Sequence, residues 1–101
     1  MTMQLRDYQI AAGRLTDFVD AWRAGVLPLR RRYGFHVAAW TVEGEDRFVW
    51  LLSLEGSDEE FRRRDSAYYA SPERAALQVD PAQWIVDARH VFLRPVAEGS
   101  I

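Results

Sequence analysis

Two segments of this chain are apolar on both faces of a strand. Phe48-Val49-Trp50-Leu51-Leu52-Ser53-Leu54 is almost unbroken, and Phe35-His36-Val37-Ala38-Ala39-Trp40-Thr41-Val42 is nearly so. A strand with one wet face alternates apolar and polar residues; a strand covered on both sides does not. The rest of the chain offers two substantial helical stretches, enough to cover one face of a sheet. The economical cover for the other face is a second copy of the same chain. The pattern therefore predicts a small sheet-and-helix protomer completed by dimerisation.

Met3 to Ile10 reads as a first strand, broken by Ala11-Ala12-Gly13. From Leu15 the period changes. Leu15, Phe18, Val19, Trp22, Val26, Leu29 and Tyr33 recur at spacings of three and four, one stripe of an amphipathic helix. Asp17, Asp20, Arg23, Arg30 and Arg31 fall to the other faces. Pro28 removes a backbone donor inside this pattern, which predicts a kink or restart near Leu27. Gly34 closes the helix.

Phe35–Val42 and Arg47–Leu54 read as the second and third strands, joined through Glu43-Gly44-Glu45-Asp46 with Val42 opposite Arg47. One face then carries Phe35, Val37, Ala39, Thr41, Phe48, Trp50, Leu52 and Leu54. The other carries His36, Ala38, Trp40, Val42, Arg47, Val49, Leu51 and Ser53. The His, Trp and Arg on this second face make it the expected cavity or dimer face. Ser57-Asp58-Glu59-Glu60 is a capping box opening a helix through Tyr69. Ser71-Pro72 restarts a shorter helix, and Asp80-Pro81 repeats the device around Trp84. Asp87 to Arg94 is the last strand, ended by Pro95.

The order β-α-β-β-α-β is the split βαβ of ferredoxin-like folds. The expected class is α+β, an antiparallel sheet in the order 4-1-3-2 with both helices on one face. Leu5-Arg6-Asp7-Tyr8, Gly13 before a helix containing Trp22, Gly34-Phe35, the hairpin with its apolar third strand, and Arg62-Arg63-Arg64 followed by Ser71-Pro72 together resemble the NIPSNAP family. The resemblance runs from about Met3 to Pro95 and treats residues 1–101 as one domain. It implies a dimeric α/β barrel, built when the sheet packs on a partner's sheet. It carries over no catalytic residues, because that family's molecular function is poorly defined. Many relatives have His-Leu-Trp in the third strand where this chain has Trp50-Leu51-Leu52.

Composition narrows the function. The 101 residues carry a net charge of -2 and no cysteine. An acidic balance excludes the basic footprint of a nucleic-acid binder. Without cysteine there is no disulfide framework, thiolate metal site or cysteine nucleophile. No apolar run approaches the ~20 residues of a membrane helix, and Met1 to Asp7 lacks a signal-peptide core. A cytoplasmic protein with no membrane partner is expected.

The candidate ligand-binding residues are Arg6, Tyr8, His36, Trp40 and Arg89. Arg6 and Tyr8 share one face of the first strand, where an arginine can hold a carboxylate or phosphate and a phenol can orient it. The competing reading pairs Arg6 with an acid such as Asp7 or Glu43. Arg89 on the last strand can join either arrangement. His36 and His90 can serve as general base or haem ligand, but they lack carboxylates at ligand spacing. No metal and no cofactor are therefore expected. Trp40 is the tryptophan best placed to wall a cavity, and Trp22 belongs to the helix core. Of Tyr68 and Tyr69, on adjacent helix faces, one should pack and the other be wet. The runs Arg30-Arg31-Arg32 and Arg62-Arg63-Arg64 read as solvated helix faces, the second braced by Glu59–Arg63 and Glu60–Arg64. The leading expectation is a homodimer binding a small organic molecule between sheet and helices. The alternatives are a cofactor-independent monooxygenase or isomerase of the same superfamily, and an interaction dimer with a filled barrel.

Overall fold

The computed structural model describes residues 1–97. In chain order these form strand β1 (Thr2–Ile10), helix α1 (Leu15–Ala21), a π-helical turn (Trp22–Val26), helix α2 (Leu27–Arg32), and strands β2 (His36–Thr41) and β3 (Arg47–Leu54). Helix α3 (Asp58–Ala70), short helix α4 (Pro72–Ala75), a 3-10 turn (Pro81–Trp84) and strand β4 (Ile85–Leu93) complete the order. The sheet is antiparallel in the order β2-β3-β1-β4, the predicted 4-1-3-2 read from the other edge. Among the described residues no helix is long and apolar enough to cross a membrane.

The first helical segment restarts where Pro28 requires it. The Leu27 N–H reaches the carbonyl of Trp22, five residues back, and α winding then resumes. The wide turn holds one extra residue and shifts the phase of the helix beyond it. Arg30, expected on a wet face, is instead fully buried beside Leu29. The helix ends at Gly34, whose φ of 91° suits glycine. A Cβ there would also lie 2.7 Å from Nη1 of Arg64, which donates to the Tyr33 carbonyl at 3.0 Å.

The other caps form much as the sequence predicts. The Ser57 hydroxyl accepts from the Glu60 amide at 3.2 Å. The Glu60 carboxylate does not complete the box; it holds Arg63 at 3.0 Å and Arg64 at 3.1 Å. Ser71 caps α4 by accepting from the Arg74 amide at 3.1 Å, and Asp80 caps the 3-10 turn through Ala82 at 2.9 Å.

Register places residues in rows across the sheet. On the helix-covered face these are Phe92-Gln4-Leu52-Val37, His90-Arg6-Trp50-Ala39 and Ala88-Tyr8-Phe48-Thr41. Aromatic edges lock the helices onto them: Phe18 meets Phe48 at 4.9 Å, Trp22 meets Trp50 at 5.4 Å, and Phe61 meets Phe35 at 5.2 Å. Each such pair adds roughly 0.5–1.5 kcal/mol beyond its buried area. An extra residue between the partners of Gln9 and Ile10, Val86, shifts the β1–β4 register. Along β4, Val86, Ala88 and His90 stay exposed on or beside this face, so the helices do not close over that edge.

The opposite face carries Leu93-Met3-Ser53-His36, Val91-Leu5-Leu51-Ala38 and Arg89-Asp7-Val49-Trp40. Among the described residues no helix packs there, and Trp40 is 53% exposed. The middle row is apolar from edge to edge. On this face Asp7 pairs with one edge of the Arg47 guanidinium, Nε to Oδ1 at 2.8 Å and Nη2 to Oδ2. The Arg47 hydrogen bonds hold the Asp7 carboxyl below its usual range, against a smaller opposing effect of burial. A depressed carboxyl stabilises the fold above its unfolded pKa and loses that contribution as pH falls through the folded value. Asp7→Asn should therefore melt below the wild type at pH 7, with the gap closing on acidification below about pH 4. Thermal melts across pH 3 to 7 check this; a gap that is independent of pH would contradict it.

Candidate functional site

Arg6 stands mid-strand on β1, pointing into the space between sheet and helices, with no exposed surface. A buried guanidinium must have its donors satisfied, and three partners serve it. Nε donates to Gln4 Oε1 at 2.7 Å, Nη1 to the Tyr69 hydroxyl at 2.9 Å, and Nη2 to Asp65 Oδ1 at 2.9 Å. Burial lowers the Arg6 pKa, but Tyr69, Asp65 and Tyr8 together outweigh it and the net direction is upward. Arg6 thus pairs with α3, not with Asp7 or Glu43 as sequence reasoning allowed, and it is braced instead of free for a ligand.

Arg30 arrives from α2 at the same carboxylate oxygen. Its Nη1 donates to Asp65 Oδ1 at 2.7 Å. The guanidinium carbon lies 3.8 Å from the centre of the Tyr68 ring and 5.0 Å from that of Phe35, so aromatic faces hold its plane. Its Nε and Nη2 have no partner. Arg74, from α4, donates Nη2 to Asp80 at 3.0 Å, and its Nε is also unpartnered.

These residues surround a cavity of about 70 Å³. Tyr8, Trp22, Trp50 and Tyr68 supply its aromatic walls, Arg30 and Arg74 its cations, and Tyr69 and Ala82 its exposed rim. The buried side-chain polar atoms without a partner among the described residues are Trp22 Nε1, Trp50 Nε1, Tyr68 Oη, Arg30 Nε and Nη2, and Arg74 Nε. Every one of these atoms belongs to a residue lining this cavity. Buried polar atoms are nearly always paired in folded proteins, so orphans gathered around one cavity mark a place built for something else to bind. Burial raises the Tyr8 phenol above its usual pKa, opposed chiefly by Arg6. It raises Tyr68 as well, against Arg30 and Arg74. Both phenols are therefore protonated at neutral pH.

The structure divides the predicted site residues between the two faces. Arg6 and Tyr8 lie in the helix-covered space, and Tyr8 lines the cavity. His36, Trp40 and Arg89 lie on the open face, separated from them by the thickness of the sheet. Neither histidine lines the cavity. His90 lies outside the lining, its ring 6.1 Å from that of Tyr8. Burial, then Arg6, lower its pKa, leaving the imidazole neutral at pH 7.

Sequence reasoning does not anticipate Arg30, Asp65, Tyr68 or Arg74. Two of them left a trace. Asp65 stands four residues after Phe61 and three before Tyr68, on the buried stripe of α3. Arg30 stands four after Val26 and three before Tyr33. A charge on an apolar stripe needs a buried counter-charge, and here each supplies the other's.

The fold is the ferredoxin-like α+β arrangement, with a donor-rich cavity held between sheet and helices. No protein-family model and no curated protein matches this chain. Solved structures do. A NIPSNAP domain protein from Burkholderia xenovorans superposes with a TM-score of 0.85 at 19% identity, covering 100% of each chain. A NIPSNAP family protein from Agrobacterium tumefaciens gives 0.83 at 11% identity over 94% of this chain and 92% of its own. A putative antibiotic biosynthesis monooxygenase from Nitrosomonas europaea gives 0.70 at 14% identity over 96% and 100%. The chain shares the fold of these proteins over 94% or more of its length.

Proposed function

We propose that this protein is a NIPSNAP-like homodimer that binds a small organic molecule in the cavity between its sheet and helices. The observation that carries the binding reading is the convergence of unpartnered buried donors on the residues of one aromatic-walled cavity. Titrating the full chain with an organic small-molecule library, read out by tryptophan fluorescence, tests it. Trp22 and Trp50 line the cavity and should report occupancy. A library that leaves both fluorescence and melting temperature unmoved would contradict binding.

Dimerisation is supported by the open face of the sheet. Its middle row, Val91-Leu5-Leu51-Ala38, is apolar throughout, and monomers rarely expose a contiguous apolar patch of that kind. A second copy buries it by apposing like rows. Sedimentation should give a dimer at micromolar concentration. Leu51→Lys, which sets a charge in the centre of the row, should give a folded monomer. A wild-type monomer in the same measurement would sink this part.

A second reading, a cofactor-independent monooxygenase, draws on the neutral imidazole of His90 beside Tyr8 of the cavity wall. Such a group can take a proton from a phenolic substrate before oxygen attacks it. Oxygen uptake with a panel of phenolic substrates, lost in His90→Ala, would establish it; uptake no faster than in buffer would dismiss it.

A further inference from the structure

We infer that the cavity recognises a singly charged, planar carboxylate, with Arg30 as its anchor and the Tyr68 hydroxyl and the Trp22 and Trp50 indoles as supporting donors. This rests on the small-molecule reading above and narrows it to a chemical class.

Charge leads to the same class as geometry. Arg6 and Arg30 share one carboxylate oxygen, Asp65 Oδ1, while Arg74 is matched by Asp80. Among the described residues one buried positive charge is left uncompensated. The orphaned atoms are donors: guanidinium and indole N–H groups cannot accept, and a phenol can donate. Burial keeps the Tyr68 phenol protonated. The complement is an acceptor with one negative charge.

The edge of Arg30 that remains free is decisive. Asp65 occupies Nη1, and Nε with Nη2 are unpartnered. These two nitrogens form the side of the guanidinium fork that meets the two oxygens of a carboxylate in parallel hydrogen bonds. Stacking on Tyr68 at 3.8 Å keeps that edge in one plane. The cavity, about 70 Å³, is roughly two water volumes, which suits a carboxylate head. A flat apolar body can then lean on the aromatic wall and leave past Tyr69 and Ala82. Ordered water in the same space would satisfy hydrogen bonds and leave the charge unanswered.

The test uses the full-length protein at constant ionic strength, with acetate, benzoate and phenylacetate set against acetamide, benzamide and phenylacetamide. The acids should quench tryptophan fluorescence and raise the melting temperature, and each amide should bind at least about tenfold more weakly. Arg30→Met should weaken binding of the acids by about fiftyfold or more. Tyr68→Phe should weaken it by about tenfold. Arg30→Met should melt above the wild type without ligand, because it removes the buried charge left unanswered by Asp65, which Arg6 already holds. A purely structural role would move the melt the other way. If Arg30→Met does not fold, Tyr68→Phe decides alone. Amides binding as well as acids would overturn the carboxylate assignment and leave small-molecule binding intact. Acids and amides that are both inert at millimolar concentration would overturn both. Acid affinity that is unchanged in the variants would place the binding elsewhere and overturn the assignment.

Discussion

Asp65→Asn should be among the most damaging single substitutions in the molecule, lowering stability by about 3 kcal/mol or more. The carboxylate is the only acid contacting Arg6 and Arg30 in the salt bridges of the described residues. Both arginines are fully buried, while Asp65 is 24% exposed. Removing its charge leaves two desolvated guanidiniums facing each other. Partial hydration through the exposed side of Asp65, and the Gln4 and Tyr69 bonds to Arg6, keep the loss near the lower end of the range for broken buried pairs. For a domain of this size that is a fall of roughly 12–24 °C in Tm. The double variant Asp65→Asn/Arg30→Met should recover much of it, since the cluster then carries one uncompensated charge, as it does in the wild type. Urea melts of the two variants measure this. An Asp65→Asn protein within about 1 kcal/mol of wild type would show that the cluster contributes little.

Phe61→Ala should cost about 3–5 kcal/mol. Phe61 is completely buried and meets Phe35 at 5.2 Å and Phe92 at 5.4 Å, edge to face in both cases. Helix α3 is otherwise rich in charge: the buried residues along its 13 positions are Phe61 and Tyr68. With so few apolar anchors, the helix has little to compensate for the cavity left by the missing ring. Its displacement would also loosen Asp65, one turn further on, so Phe61→Ala and Asp65→Asn should be non-additive. Chemical denaturation of the single and double variants tests both the size and the coupling. Simple addition of the two losses would mean that α3 is held elsewhere.

Much of the architecture was legible in the pattern of residues. Strand β3 begins and ends at Arg47 and Leu54 as read, because a long apolar run with β-branched and aromatic residues has few alternatives. The hairpin register is set once Val42 stands opposite Arg47, and the Val42 N–H does reach the Arg47 carbonyl, at 3.1 Å. Serine and aspartate ahead of proline or acid marked three helix starts, since side-chain capping is local. Tyr68 and Tyr69 divided as their adjacent positions require, one buried and one half-exposed.

The site was less legible, for physical reasons. Arg30 sits in a triplet of arginines that reads as one solvated face, although its spacing from Val26 and Tyr33 already brings it to the apolar stripe. Asp65 looks like one more charge bracketing an arginine run. Its partners lie 59 and 35 residues away in sequence, beyond the reach of any periodicity. Strict strand alternation singles out Arg6 and Tyr8, and the same parity sends Trp40, His36 and Arg89 to the other face.

The wide turn at Trp22–Val26 lets the helix carry one more residue than regular winding would, so the cavity tolerates a change of chain length at one place and not beside it. Deleting one residue inside the turn, such as Gly25, would return that stretch to regular winding and leave Arg30 where it stands. The same loss between Leu27 and Arg30 has no slack to absorb it and would turn Arg30 by about 100°, away from Asp65. One codon removed from the turn would pass unnoticed; one removed just downstream would take away the pocket's anchoring cation.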